Sequence, residues 1–268
     1  MQKTSVVMVV ATLVASVFGA FLRWLQLMVD YDEETGFMAR GVTPVTAVLV
    51  VYCVLVCVGA VVAASRLCRG KQEASSIETL MPGRSALVRA ASVLCGVLFA
   101  LASLVVLMTS NSGASPAVQR AFGAVGLAGG ICIPVLFTPS LRGGAAQAGG
   151  IVIMLTGLVW LVYIYRLNSG NPVVWEYAFS MLSVSAFTLA ASGVSGWFFG
   201  RGKARQTLIW CLLGTFFCIV SLADGAGGAA TLQTAMCALF CLLMVYLLSS
   251  AAERYVPEPE QSTESAES

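Results

Sequence analysis

Residues 41–65 read GVTPVTAVLVVYCVLVCVGAVVAAS, without a single Asp, Glu, Lys or Arg. An uncharged, mostly apolar run of about 18 residues or more is long enough to span the hydrocarbon of a bilayer. Ser5–Leu22 and Ala90–Gln119 are equally free of charge. Of the 268 residues, 58% are hydrophobic and 10% charged, against roughly 25% charged in a soluble domain. The mean hydropathy is +0.88. The expected fold class is all-α, a polytopic transmembrane bundle of about eight helices, with the lipid bilayer as its first partner.

The pattern divides into spans at 5–24, 42–64, 87–109, 118–138, 149–166, 173–199, 206–223 and 230–250. An even number brings both termini to one side. Lys3, Arg66, Arg69, Lys71, Arg84, Arg89, Arg142, Arg201, Lys203, Arg205 and Arg254 collect there, eleven of the 15 Lys and Arg. Arg23, Arg40, Arg120 and Arg166 fall on the opposite side. The positive-inside rule then predicts cytoplasmic termini in a cell membrane of the bacterial inner-membrane kind. Lys3 ahead of an apolar stretch also fits a secretory signal. However, the stretch outruns a typical h-region, and no small-x-small cleavage site leads into a soluble domain, so it reads as the first span.

Three dipeptides mark helix starts. Thr43-Pro44, Ser115-Pro116 and Asn171-Pro172 each set a capping residue before a proline suited to the first helical position. They open the second, fourth and sixth spans. The acidic stretch DYDEETGF, residues 30–37, falls in the first outer loop, where its carboxylates are expected to keep the loop solvated. Residues 1–252 form the expected bundle. From Glu253 the chain reads ERYVPEPEQSTESAES, rich in Glu, Ser and Pro, and residues 253–268 are expected to be a disordered acidic cytoplasmic tail.

The chain has no histidine and nine cysteines. Without histidine, Ser-His-Asp catalysis and histidine-ligated zinc are excluded, and no enzyme activity is expected. The GVSG at 193–196 reads as small-residue packing rather than a serine nucleophile. GRGKAR at 200–205 lacks the pattern of a phosphate loop and reads as a basic membrane anchor. Cys53-x3-Cys57 and Cys237-x3-Cys241 place thiols on one helix face, a pattern open to a soft ion, but no flanking Cys/Met cluster feeds them. Cys68 lies in a basic loop and the other thiols in spans, so no disulfide is expected. No catalytic, cofactor or metal site is expected, and no nucleic-acid partner. A protein partner, a small solute or a second copy of the chain all stay open.

In the fourth span, Gly126-x3-Gly130 and Ala124-x3-Ala128 are small-x3-small pairs that favour close helix contact. Gly129-Gly130 followed by Pro134 would also permit an unwound segment. Four charged residues, Arg23, Arg166, Glu176 and Asp224, gather at the outer ends of spans as a candidate vestibule. Glu176 is expected about one turn inside the sixth helix, paired with Arg23, or with Arg166 as second choice.

RWLQLMVDYDEETGF, then VVWEYAF with GWFFGRGK, then SLADG, resembles a group of eight-span bacterial membrane proteins with no assigned function. The resemblance implies eight spans and no chemistry. The sequence favours a non-catalytic membrane component, a subunit, sensor or assembly partner, because its charges cluster at the two interfaces. The alternative is a small-solute transporter with a polar outer vestibule around Glu176.

Overall fold

Each long apolar run becomes one helix, because backbone N–H and C=O groups in hydrocarbon find partners only within their own turns. The computed structural model describes residues 3–32, 37–38, 43–69, 86–109, 115–138, 143–170, 173–225 and 227–254. The helices are α1 (Lys3–Asp30), α2 (Pro44–Leu67), α3 (Ala86–Met108), α4 (Pro116–Leu136), α5 (Gly144–Leu167), α6 (Val174–Phe198), α7 (Ala204–Ser221) and α8 (Gly228–Arg254). All eight are long and apolar enough to cross a membrane, so the chain is an all-α, multi-pass integral membrane protein. A 3-10 turn, Leu222–Asp224, follows α7, and Tyr31–Asp32 pairs antiparallel with Phe37–Met38 beyond α1.

Helices adjacent in sequence pack side by side from α3 to α8, and α8 returns to α3 to close a ring. Outside it, α1 lies against α7 and α8, and α2 against α1 and α7. Val7, Val10, Val14 and Val17 on α1, and Val51, Val54, Leu55 and Val58 on α2, are exposed, as a lipid-facing surface requires. The Glu253 carboxylate accepts from the Thr4 N–H at 2.5 Å and from the Ser5 hydroxyl at 3.4 Å, which joins the end of α8 to the start of α1. Both helix termini therefore occupy one end of the bundle, here the near end. Arg23, Asn168 and Asp224 lie toward the far end.

Small residues set the closest helix approaches. On α4, a Cβ at Gly126 would fall 2.6 Å from Ser103 Oγ, and one at Gly130 would fall 2.7 Å from the Ala100 backbone nitrogen of α3. Gly150 of α5 meets Ser195 of α6 at 2.6 Å in the same sense, so GVSG is packing surface. The companion pair differs from expectation, since Ala124 is exposed and takes no part in the α3–α4 seam. The fourth span is one continuous helix through Gly129-Gly130, with Pro134 inside it.

Two of the three expected caps form. Thr43 accepts from the Thr46 N–H at 3.1 Å, and Ser115 from the Val118 N–H at 3.5 Å, each with proline at the start of the helix. The third, Asn171-Pro172, lies outside the described residues; α6 begins at Val174, after an extended Val173 (φ −96°, ψ 91°). Cys68 also departs from expectation: it ends α2, buried, with its N–H on Ala64 O at 3.0 Å. All nine cysteines are thiols. Of the expected tail, 253 and 254 continue α8, and 255–268 lie outside the described residues.

Candidate functional site

Arg23 is fully buried three-quarters of the way along α1, which makes it the costliest residue in the bundle unless every donor is met. Its Nε donates to Asp224 Oδ1 at 2.7 Å and its Nη1 to Gln26 Oε1 at 2.7 Å. Its Nη2 donates to the backbone carbonyls of Trp175 (3.0 Å) and Glu176 (3.1 Å), and the guanidinium lies 4.9 Å from the centre of the Phe179 ring. Asp224 in turn accepts from the Ser180 hydroxyl at 3.0 Å.

The expected pairing of Arg23 with Glu176 is thus corrected. Arg23 reaches the backbone of Glu176, and the carboxylate that meets it belongs to Asp224. The reason is helix adjacency, since α1 packs against α7 and α8 and its Arg23 faces the 3-10 turn that joins them. Glu176 is half-buried in the first turn of α6. Arg166, in the last turn of α5, is exposed and is not part of the cluster.

The polar chain continues to residues that sequence reasoning left aside. Gln26 Nε2 donates to the Thr46 hydroxyl at 2.7 Å, and the Thr46 and Thr43 hydroxyls donate to Asp30 Oδ2 at 2.7 and 2.8 Å. Asp30, the first carboxylate of DYDEETGF, is therefore buried between α1 and α2 instead of solvated, with its Oδ1 unpartnered among the described residues. The helical period carries a partial signal: Arg23, Gln26 and Asp30 stand at i, i+3 and i+7 on one face of α1.

Beside this chain, the far end holds a cavity of about 480 Å³ among α3, α4, α5, α6 and α8. Phe122, Trp160 and Tyr163 form an aromatic wall, with Phe122 and Tyr163 stacked at 4.8 Å. Thr109, Asn168, Ser180, Ser183 and Thr234 supply the polar groups, and no charged side chain lines it among the described residues. Ser180 belongs both to the cavity and to the ion-pair cluster. Asn168 and Gly227, in the far-end turns, belong to its lining. Gly227 (φ +87°) and Gly225 (φ +64°) hold left-handed conformations there, which glycine adopts without a Cβ penalty.

The cavity stops near mid-bundle. At ~1.5 Å per residue, Val184 at its base lies roughly 15 Å into α6, about half of a ~30 Å hydrocarbon core. Beneath it, Phe240 meets Phe187 and Phe137 edge-on at 5.8 and 6.3 Å. Gln233 donates to Ser103 at 2.9 Å against Gly126, and Gly129 and Gly157 receive the side chains of Thr156 and Thr188. The thiols fill apolar space: Cys241 packs on Gly214, and no group of three possible metal ligands occurs among the described residues. The chain matches no protein-family model, no curated protein and no solved structure.

Proposed function

We propose that the chain is a non-catalytic component of a cell membrane that takes a small, uncharged ligand into its far-end cavity. The observation that carries this reading is the uncharged lining. A volume near 480 Å³ lies within the roughly 300–1,000 Å³ range of small-molecule sites, and its aromatic wall with a few placed hydroxyls suits a neutral molecule with one flat apolar face. The Arg23–Asp224 cluster acts as a frame. It ties α1 and α6 to the turn before α8, so that Ser180 is held at the cavity wall. The Lys and Arg distribution supports a cytoplasmic near end and an outward-facing cavity.

A second reading, transport, draws on the packing beside the cavity. Gln233 of α8, next to the lining residue Thr234, donates to Ser103 on the close-packed α3–α4 seam and has its Oε1 buried without a hydrogen-bond partner among the described residues; a small helix displacement there would extend the path. The two readings separate in one experiment. Thr234→Cys in whole cells should react with a membrane-impermeant maleimide added outside, whereas no labelling would overturn the outward-facing cavity. If the same cysteine also reacts from the inside in inverted vesicles, the transporter reading replaces the non-catalytic one.

A further inference from the structure

A second cavity, of about 240 Å³, opens at the near end between α6 and α7. Its rim carries Arg201, Lys203 and Gln206, and among the described residues no carboxylate lines it. Its inner wall combines Trp210 and Leu189 with the small residues Ser192, Gly193 and Thr207: Trp210 lies roughly 9 Å along α7 from the helix start, and Leu189 roughly 14 Å from the end of α6, at ~1.5 Å per residue. Leu189 is 40% exposed, so this wall is continuous with the lipid-facing surface. One cavity thus runs from two cations at headgroup depth to an aliphatic and an indole side chain at acyl depth.

The loop between the helices holds the cations in place. The Arg201 N–H donates to Gly196 O at 2.9 Å, and the Gly200 N–H to Trp197 O at 3.2 Å. Gly200 has φ +68°, and Gly202 lies against the Trp197 ring, where a Cβ would clash. Lys203 stands at the N-cap of α7, where its side chain has no acceptor to offer the first N–H groups, and a helix start of this kind favours a phosphate.

We infer that this cavity binds an anionic phospholipid, its phosphate between Arg201, Lys203 and the start of α7, and one acyl chain along Trp210 and Leu189. A phosphate group alone would be satisfied by the rim, and a membrane chain alone by the wall. The graded lining fits a molecule that has both.

The test uses the full-length protein in neutral detergent, offered equimolar phosphatidylglycerol and phosphatidylcholine and read by native mass spectrometry. Phosphatidylglycerol should be retained in preference. Each cation near an anionic headgroup is worth roughly fivefold in affinity, so Arg201→Gln with Lys203→Gln should lower retention by well over tenfold. Arg205→Gln removes the same charge from the first turn of α7, from a side chain outside the cavity lining, and should leave retention unchanged. Leu189→Trp, which fills the inner wall, should weaken lipid retention with the rim intact. Equal losses from Arg205→Gln and Arg201→Gln would reduce the site to general surface charge and overturn it. So would displacement of the lipid by millimolar inorganic phosphate, which would assign the rim to a soluble anion.

Discussion

Arg23 shows how a charge becomes tolerable within an apolar bundle. Four of the five N–H donors of a guanidinium have identified acceptors, and a ring face covers its plane. Such a pair adds little against an apolar replacement of both partners, but breaking it strands one buried charge at a cost of about 3–5 kcal/mol. Arg23→Gln and Asp224→Asn should therefore each lower the midpoint of thermal unfolding in detergent, and the double variant should lose clearly less than their sum. Additive losses would show that the two side chains do not act as a pair. Glu176→Gln preserves the backbone carbonyl that Arg23 uses, so it should leave the Arg23–Asp224 coupling energy unchanged. A collapse of that coupling in the Glu176→Gln background would restore Glu176 as the partner. Arg23 and Asp224 were readable from the sequence as outer-end charges, but their pairing was not, and neither was the part played by the uncharged Gln26 and Ser180. Which carboxylate meets Arg23 depends on which helices are neighbours, and nothing in the local sequence of α1 encodes that.

At the scale of elements, hydropathy located every helix but misplaced some ends for an identifiable reason. The first span reads as 5–24 because Arg23 looks like the beginning of water. In fact α1 runs on to Asp30, since Asp224 neutralises that charge and Gln26 and Asp30 find partners on α2. The glycine pattern was readable on one face only. Gly126 and Gly130 do form the α3–α4 seam, while Ala124, in an equally good small-x3-small pair, is exposed. Spacing identifies a face without saying which neighbour comes to it. Gly130→Ala places a Cβ 2.7–2.8 Å from backbone atoms of α3, which cannot rotate away, so a loss of roughly 1–3 kcal/mol is expected. Gly59→Ala is the matched control. No atom lies within 4 Å of the added methyl, and the better helix propensity of alanine should leave stability equal or raised by up to about 1 kcal/mol. Equal destabilisation by both substitutions would mean that α4 does not approach α3 this closely.

For the whole molecule, the bundle has two unlike halves. Inside the ring, the far half holds the cavity, lined without charge among the described residues, and the near half is filled by Phe137, Phe187, Phe240 and the small-residue seams. That asymmetry acquires a direction once one end is assigned to the cytoplasm, and the Lys and Arg distribution is the basis for proposing the near end. Thr4 and Glu253, hydrogen-bonded across the ends of α1 and α8, offer a joint test of closure and direction. With Thr4→Cys and Glu253→Cys in one chain, a short bis-maleimide should join the two helices and give a gel species of altered mobility. An odd number of spans would separate those cysteines by the thickness of the membrane and forbid the link. In intact cells an impermeant form of the reagent should not react, and in inverted vesicles it should react readily. Cross-linking from outside intact cells would reverse the molecule: the 480 Å³ cavity would then open to the cytoplasm and take its ligand from there.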